Sequence, residues 1–259
     1  MRSPVTKAKP VHSISGHDER AATVIYGDWL DVAATLPPNS IDMLYADPPF
    51  NTGSRKSASA GSFDDSWPTR AEFINFLRER LSATLPSLKP SACVLLHLDQ
   101  RTSHVARVML DELLGEDRFV NHIIWQYGLG GSSPRRFARK HDDILFYCTD
   151  PERYYFDPPR VPATSARMRG MTKKASDVLA VPSINNMASE RLGYPTQKPR
   201  ALLDILVRAC CPEGGLVFDP CCGSGTTLEA ATNARRRAIG CDISEQAIAL
   251  TKRRLCKGN

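Results

Sequence analysis

Apolar and polar positions alternate along this chain with two different periods. Short apolar runs of the kind that form buried strands occur at residues 23–26, 41–46, 92–98, 119–126, 143–148, 216–219 and 238–241. Between them, apolar residues recur every three or four positions, as in amphipathic helices, at residues 69–88, 102–114, 198–211, 226–234 and 244–255. This succession of short strands and amphipathic helices predicts an α/β fold.

Two stretches interrupt the succession. Residues 51–67 are rich in Ser, Gly and Asp, and residues 158–191 are basic and irregular. Long irregular segments inside a compact domain are usually either functional or disordered. The chain has 259 residues and is 42% hydrophobic, which is enough for one large core. We therefore expect one main domain at residues 23–259, preceded by a flexible basic arm at residues 1–22.

Charge and cysteine content narrow the class of protein. The formal charge of +6, from 34 basic and 28 acidic residues, favours a polyanionic partner, although a solvated basic surface explains it equally well. The eight cysteines include no C-x-x-C pair, which predicts reduced, mostly buried thiols rather than a metal site. No apolar run approaches the ~20 residues of a membrane span, and the basic N-terminus lacks the apolar stretch of a secretory signal. These features predict a cytoplasmic protein with no membrane or metal partner.

One apolar run ends abruptly in a charge. Residues 41–46 lead directly into Asp47-Pro48-Pro49-Phe50, and a second Asp-Pro-Pro occurs at residues 157–159. Either one copy is a chemical site and the other a turn, or both are turns.

The second informative stretch is rich in glycine. A predicted strand ends at Asp219, Gly223-Ser224-Gly225 follows, and Thr226 opens a helix, whose first turn offers free N–H groups. The next predicted strand ends in Asp242, 19 residues after Gly223, which is where α/β nucleotide folds hold ribose hydroxyls. Neither G-x-G-x-x-G nor a lysine-bearing phosphate loop is present. The pattern therefore favours an adenosine ligand without phosphates over a purely structural glycine turn.

Together these motifs resemble the β-class amino-group DNA methyltransferases, in which the catalytic motif precedes the S-adenosylmethionine motif. The resemblance rests on Asp47-Pro-Pro-Phe50, on Phe218-Asp219-Pro220 and on Gly223-Ser-Gly-Thr-Thr227, and it covers most of residues 23–256. Residues 51–67 are similar to the loop that follows the family's catalytic motif. Cys221-Cys222 departs from the family, which more often has Phe there, and we expect this to alter packing rather than binding.

The resemblance implies a Rossmann-like S-adenosylmethionine-dependent methyltransferase fold with circularly permuted motifs, whose mostly parallel sheet carries helices on both faces. It implies S-adenosyl-L-methionine as cofactor, with Asp28 at the adenine and residues 193–199 beside the methionine part. The expected cofactor-binding residues are Asp28, Thr196, Lys198, Asp219, Pro220, Cys221, Gly223, Ser224, Gly225, Thr226 and Asp242. Two simpler alternatives stay open, because Asp28 could cap a helix at residues 29–36, and Thr196 and Lys198 could cap the helix that follows them.

The resemblance also explains the charge after residues 41–46. An exocyclic amino nitrogen of a base is a weak nucleophile because its lone pair is delocalised into the ring. Asp47 would accept one N–H and the Pro48 carbonyl the other, while Pro48 and Pro49 preorganise both acceptors and Phe50 stacks on the extruded base. This chemistry requires neither a metal nor a cysteine nucleophile. The second Asp-Pro-Pro has Arg160 instead of an aromatic residue, so we interpret it as a turn.

The expected partner is double-stranded DNA, and the family also includes homodimers. The aspartate form of the motif favours adenine over the alternative, the amino group of cytosine; RNA is a weaker alternative. A catalytically inactive DNA-binding module is less consistent with an intact Asp47 and glycine turn. DNA-contacting segments are expected within residues 128–192, above all Arg135, Arg136, Arg139 and Lys140, although a solvated basic loop is nearly as good an explanation. His141 is expected to be structural.

Overall fold

The computed structural model describes residues 13–14, 22–128, 131, 133–163, 165–185 and 188–257. The strands are β1 (Ser13–Ile14), β2 (Ala22–Tyr26), β3 (Ile41–Ala46), β4 (Lys56–Ala58), β5 (Gly61–Phe63), β6 (Leu88–Leu98), β7 (Phe119–Gln126), β8 (His141–Cys148), β9 (Arg160–Pro162), β10 (Thr172–Lys174), β11 (Val178–Ala180), β12 (Leu216–Asp219) and β13 (Arg237–Asp242). The helices are α1 (Trp29–Ala33), α2 (Arg70–Thr84), α3 (Ser103–Leu114), α4 (Arg200–Cys210), α5 (Thr226–Asn233) and α6 (Glu245–Lys257). Most of the predicted basic arm at residues 1–22 lies outside the described residues.

Within the described part of the chain, nine strands form one sheet in the order β1-β2-β13-β12-β3-β6-β8-β7-β11. The five strands from β2 to β6 in this order are mutually parallel, and β8 runs antiparallel to both of its neighbours. Two small hairpins, β4–β5 and β9–β10, stand apart from the sheet. The prediction of a mostly parallel α/β sheet is confirmed.

Helices cover both faces of the sheet because the side chains of its strands alternate between two cores. Met43 and Tyr45 of β3 belong to a core that includes apolar residues of α4, α5 and α6. Leu44 and Ala46 belong to the opposite core, which includes residues of α1, α2 and α3. Both faces of β3 are therefore buried, which explains why its sequence is a continuous apolar run rather than an alternating one. None of the helices within the described ranges has the length and apolar character of a membrane span.

The predicted boundaries of β3, β7 and β12 are confirmed. The helix predicted at residues 69–88 is too long: α2 ends at Thr84, and Leu88 already begins β6 after a short 3-10 turn containing Pro86. Both hairpins and β11 were not predicted. Their strands have three residues each and are mostly exposed, so they carry no apolar pattern.

The strand order reverses between β12 and β3. From β12 the chain continues through α5 to β13 on one side, and from β3 it continues through α2 to β6 on the other side. In open α/β sheets such a switch point leaves a crevice at the carboxyl ends of the two strands, where ligands bind. The architecture therefore places a binding site beyond Ala46 and Asp219.

A buried carboxylate holds the other end of these two strands together. Asp42 of β3 accepts a hydrogen bond from the backbone N–H of Leu216 in β12 at 2.8 Å. The ammonium group of Lys89 donates to both carboxylate oxygens of Asp42, at 2.9 and 2.8 Å. Asp42 is 4% exposed, so removing it would leave the Leu216 N–H buried without this acceptor.

We predict that Asp42→Ala lowers the free energy of unfolding by about 2–4 kcal/mol, because it leaves a buried donor and a cation unpaired. Asp42→Asn keeps an acceptor for Leu216 and should lose clearly less. Urea unfolding followed by circular dichroism measures both variants. Equal losses in the two variants would show that the Leu216 hydrogen bond is unimportant.

Candidate active site

Four aspartates lie at the carboxyl ends of four adjacent parallel strands. Asp28 follows β2, Asp242 ends β13, Asp219 ends β12 and Asp47 follows β3. Carboxyl ends of parallel strands lie at one edge of a sheet, so the topology gathers side chains that are far apart in sequence.

A cavity of about 800 Å³ opens at this edge. All four predicted catalytic residues, Asp47, Pro48, Pro49 and Phe50, line it. The predicted cofactor-binding residues that line it are Asp28, Thr196, Lys198, Asp219, Pro220, Cys221, Gly223, Ser224, Thr226 and Asp242. Gly225 does not. It has a φ of 77° as the N-cap residue of α5, and a Cβ at this position would lie 2.6 Å from Thr251. The structure therefore gives Gly225 a packing role, and its contact with the cofactor stays a prediction.

The glycine turn and Asp242 form one hydrogen-bonded unit. Asp242 accepts the backbone N–H of Gly223 at 3.0 Å and that of Ser244 at 2.8 Å. Burial raises the pKa of Asp242, and these backbone hydrogen bonds partly oppose the shift. Gly223 has a φ of 51°, and a Cβ there would lie 3.1 Å from the ring of Tyr194 on the opposite wall. The absence of a side chain at Gly223 therefore keeps this part of the cavity open.

Asp219 is the most deeply buried of the four carboxyl groups. It accepts the backbone N–H of Cys221 at 3.1 Å and so shapes the start of the glycine turn. Burial raises the pKa of Asp219 to about 7, and the charges of Asp47 and Asp242 contribute in the same direction. This side chain is 2% exposed, so the structure supports a role in holding the turn.

Asp28 caps helix α1, as the simpler of its two interpretations predicts. It is the N-cap residue of α1 and accepts the Leu30 N–H at 2.8 Å, so this alternative is confirmed, although α1 ends at Ala33. Arg80 of α2 also donates to both of its carboxylate oxygens, at 2.9 and 2.7 Å. Because the carboxylate also lines the cavity, contact with a ligand stays a prediction.

Lys198 lines the cavity and pairs with the catalytic motif. Helix α4 begins at Arg200 with Pro199 as its N-cap residue, so the alternative in which Thr196 or Lys198 caps this helix is wrong. Thr196 lines the cavity with a φ of 58°. The Lys198 ammonium lies 2.5 Å from Oδ2 of Asp47 and 5.1 Å from the centroid of the Phe50 ring. The structure therefore pairs Lys198 with the catalytic motif, and its predicted contact with the cofactor stays a prediction.

The Asp47 motif rests on a polar network that the sequence analysis missed. Phe50 stacks on His97 with ring centroids 5.8 Å apart and an interplanar angle of 27°. His97 is wholly buried, and its ring nitrogens pair with Tyr45 Oη at 2.8 Å and with Asp142 Oδ2 at 3.3 Å. Tyr127 donates to the other oxygen of Asp142 at 3.0 Å. The available signal was a single histidine inside the apolar run of β6.

Burial opposes ionisation of Asp142, but hydrogen bonds from His97 and Tyr127 and the charge of Lys198 hold the pKa of this carboxyl below its usual range. The network is therefore anionic at its base. One face of the Phe50 ring therefore rests on the His97 ring, which Tyr45 and Asp142 hold in a fixed orientation.

The loop after the motif closes on itself. The Asp65 carboxylate is 2% exposed and accepts the Asn51 N–H at 2.6 Å and the Thr52 hydroxyl at 2.5 Å. The Asn51 side chain accepts the Trp67 N–H at 2.9 Å. The irregular stretch at residues 51–67 is thus an ordered loop containing the β4–β5 hairpin, and it forms one wall of the cavity.

The predicted DNA-contacting cations lie on an exposed loop between β7 and β8. Arg136 donates to the carbonyls of Gly131 and Phe137, and Lys140 donates to that of Gly128. Phe137 is wholly exposed. DNA contact by Arg135, Arg136, Arg139 and Lys140 stays a prediction.

The second Asp-Pro-Pro copy lies away from the cavity. Asp157 is exposed, and residues 157–159 form an irregular connection into β9. The Asp157 N–H donates to the Ala209 carbonyl at 2.8 Å, so the copy serves a connecting role. His141 starts β8, with Nε2 3.9 Å from Asp143, outside the cavity lining.

The cysteines are free thiols, and all but two, Cys221 and Cys256, are buried, as predicted. Among the described residues, no group of three or more His, Cys, Asp or Glu side chains is arranged so that it could hold a metal ion.

Comparison with known proteins adds independent findings. A family model for DNA methylases matches residues 41–253. Type II methyltransferase M.HpaI of Haemophilus parainfluenzae is 32% identical over 238 residues, which cover 90% of this chain and 73% of that protein. DNA adenine methyltransferase YhdJ of Escherichia coli is 27% identical over 254 residues, which cover 91% of this chain and 83% of that protein.

Solved structures share the architecture. The M1.HpyAVI–SAM complex has a TM-score of 0.65 at 19% identity, over 90% of this chain and 98% of that one. The cytosine-N4-specific PvuII DNA methyltransferase has a TM-score of 0.70 at 16% identity, over 90% of this chain and 86% of that one. At these identities the likeness concerns the fold, and it confirms the predicted Rossmann-like class.

We predict a pH-dependent difference between the wild type and Asp219→Asn. The pKa of Asp219 is raised from 3.8 to about 7, so its stabilising contribution is present below pH ~4 and is lost as the pH rises towards 7. The wild type should therefore lose stability relative to the variant over this range. Urea unfolding of both proteins at several pH values measures the difference. A difference that stays constant with pH would contradict the raised pKa.

Proposed function

Because the chain belongs to the DNA methylase family, it is a DNA methyltransferase, and we propose that it transfers a methyl group from S-adenosyl-L-methionine to the exocyclic amino group of adenine in double-stranded DNA. One observation carries the proposal: Asp47-Pro-Pro-Phe50 and the glycine turn, which are far apart in sequence, line the same cavity at the switch point of the sheet.

The cavity fits the cofactor. The turn at Gly223 leaves room where a Cβ would approach Tyr194, and the Asp242 carboxylate is fixed at the end of the neighbouring strand by two backbone N–H groups. Asp242 would accept ribose hydroxyls, and Asp28 and Thr196 would contact the adenine and methionine parts. S-adenosylmethionine supplies an electrophilic methyl group when bound. The structure of M1.HpyAVI, which shares the fold, was solved with SAM.

Asp47 acts on the amino group of the target base. Its carboxylate accepts one amino N–H and the Pro48 carbonyl accepts the other, which localises the lone pair on nitrogen. Lys198 holds one oxygen of Asp47 at 2.5 Å, so the carboxylate has a fixed direction before the base arrives. Lys198 therefore acts as a positioning residue for Asp47.

Phe50 receives the base after it leaves the duplex. Extrusion of a base costs a few kcal/mol of lost stacking, and an aromatic face recovers part of this energy. His97 supports the Phe50 ring from behind, and its own orientation is fixed by Tyr45 and Asp142. The stacking surface is therefore preorganised in the same way as the carboxylate.

Adenine is the favoured target. YhdJ, at 27% identity, is named a DNA adenine methyltransferase, whereas the cytosine-N4-specific PvuII enzyme shares 16% identity. The aspartate at position 47 agrees with the adenine form of the motif. DNA contacts within residues 128–192 and a homodimer remain proposals that the resemblance supports.

We predict that incubation with labelled S-adenosylmethionine and mixed-sequence duplex DNA yields adenine methylated on its exocyclic nitrogen, detected by mass spectrometry of the digested DNA. Asp47→Ala should reduce transfer by about 10²-fold or more, because it removes the amino-group acceptor, while calorimetry still detects cofactor binding. Methylated cytosine without methylated adenine would overturn the assignment of the base. Wild-type turnover by Asp47→Ala would overturn the mechanism.

We predict that Lys198→Met lowers kcat by about tenfold or more, because Asp47 loses the charge-assisted hydrogen bond that orients it. The cofactor Kd should change by less than about threefold, and Lys198→Arg should restore part of kcat. Steady-state kinetics and calorimetric titration separate the two effects. A weakened cofactor Kd with an unchanged kcat would instead support the cofactor-binding role suggested by the sequence.

A further inference from the structure

A second cleft adjoins the active site on the side of the loop at residues 51–67. Its volume is about 580 Å³, and Asn51 and Trp67 form part of its wall. Trp67 also lines the first cavity, and Asn51 directly follows Phe50. A ligand in this cleft would therefore lie beside the site that receives the target base.

The charged side chains that line the cleft are cationic. They are Arg70, Arg101 and Arg139, and His104 also lines the cleft. Arg70 is exposed and makes no hydrogen bond or ion pair with the described residues. Arg101 lies 3.4 Å from Asp99, which offsets part of its charge. When the Gln100 amide is oriented with its oxygen towards Arg139, it accepts hydrogen bonds from that guanidinium at 2.7 and 3.1 Å, which holds Arg139 at the cleft.

Two helices begin at the same cleft. Thr69 and Arg70 form the start of α2, and Thr102 is the N-cap residue of α3. The first turn of a helix leaves backbone N–H groups without an intrahelical acceptor, and its dipole favours an anion. The Glu72 N–H already donates to the Thr69 hydroxyl, and the Ser103 N–H already donates to the Asp99 carbonyl. The helix dipoles and the three guanidinium groups nevertheless suit a compact anion such as a phosphate.

An unsatisfied polar group points to the same ligand. Thr102 is 2% exposed, lines the cleft, and its hydroxyl has no hydrogen-bond partner among the described residues. A buried hydroxyl without a hydrogen-bond partner destabilises the folded protein, and a bound phosphate that accepts its hydrogen bond would remove this cost. In addition, this hydroxyl makes no capping hydrogen bond to α3, which is the usual reason for a threonine at that position.

We propose that this cleft binds a backbone phosphate of the DNA strand that carries the target nucleotide. The inference rests on the proposed function, and it assigns the phosphate to Arg70, Arg101, Arg139 and Thr102. Anchoring the strand here would hold the backbone in place while the neighbouring base leaves the duplex and stacks on Phe50. Contacts of this kind set the register of a protein on DNA without reading its sequence.

The double variant Arg70→Gln/Arg101→Gln tests the proposal against a matched control, Arg208→Gln/Arg235→Gln. Arg208 in α4 is exposed, and Arg235 pairs with Glu213 as Arg101 pairs with Asp99. Both control residues lie near the amino ends of β12 and β13, opposite the active site. Both variants change the net charge equally. Fluorescence anisotropy with a labelled duplex that the wild type methylates, from about 50 to about 200 mM salt, gives affinity and salt dependence.

We expect the cleft variant to bind DNA about tenfold or more weakly and to reduce the slope of log K against log salt by about 1–2, with the cofactor Kd unchanged. The control variant should keep the wild-type slope. Thr102→Val should weaken DNA binding about threefold while the Tm stays constant or rises, because it removes an unsatisfied hydroxyl without loss of volume.

If both double variants show the wild-type slope while the wild type methylates the duplex, the cleft assignment is wrong and the proposed function stands. If Thr102→Val lowers the Tm and leaves DNA binding unchanged, its hydroxyl is structural, and the assignment of Thr102 is wrong. Absence of any methyl transfer by the wild type would overturn the proposed function and this inference with it.

Discussion

The gathering of four aspartates at one edge of the sheet is the constraint around which the site is built. The parallel strands place Asp28, Asp242, Asp219 and Asp47 side by side, and each carboxyl group has its own compensation. Asp28 has Arg80 and a helix N-terminus, Asp242 has two backbone N–H groups, and Asp47 has Lys198. Asp219 is compensated differently, since burial favours its protonated form. The polar partners of these carboxyl groups thus also fix the directions of the groups that line the cavity.

The same compensation divides the cavity into two chemically distinct halves. Around Asp242 and the glycine turn the donors are backbone N–H groups, whose positions are set by the ends of β12 and β13. Around Asp47 the donor is a side-chain ammonium carried by the segment before α4. A ligand that needs hydroxyl acceptors fits the first half, and a neutral amino group that needs acceptors held in fixed directions fits the second. Under the proposed function, these two halves would receive the cofactor and the target base, respectively.

Sequence reasoning reached the parts of this arrangement that depend on local pattern. The buried strands β3 and β12, the glycine turn and the acid of β13 follow from apolar runs and spacing, and the family motifs identify them. The pairing of Lys198 with Asp47 could not be derived in this way, because the partners are 151 residues apart and a lysine before a helix has a simpler local explanation. His97 was hidden for a related reason: a single polar residue in an apolar strand gives no information about Asp142, 45 residues later. The packing of Gly225 against Thr251 was not predictable either, since membership of a motif does not determine whether a glycine also packs against the next helix.

The strand order has a consequence for the nascent chain. β2 and β3 follow one another in the sequence, yet β13 and β12 lie between them in the sheet. During synthesis on a ribosome, β2 and β3 emerge long before their partners β13 and β12. One edge of the apolar strand β3 therefore stays unpaired until β12 has been synthesised. Such non-local pairing slows folding and exposes hydrophobic surface to other chains. A translation product that stops before β12 therefore contains the complete Asp47 motif but lacks the strand that pairs with β3, the glycine turn and Asp242. We therefore expect such incomplete chains to lack methyltransferase activity.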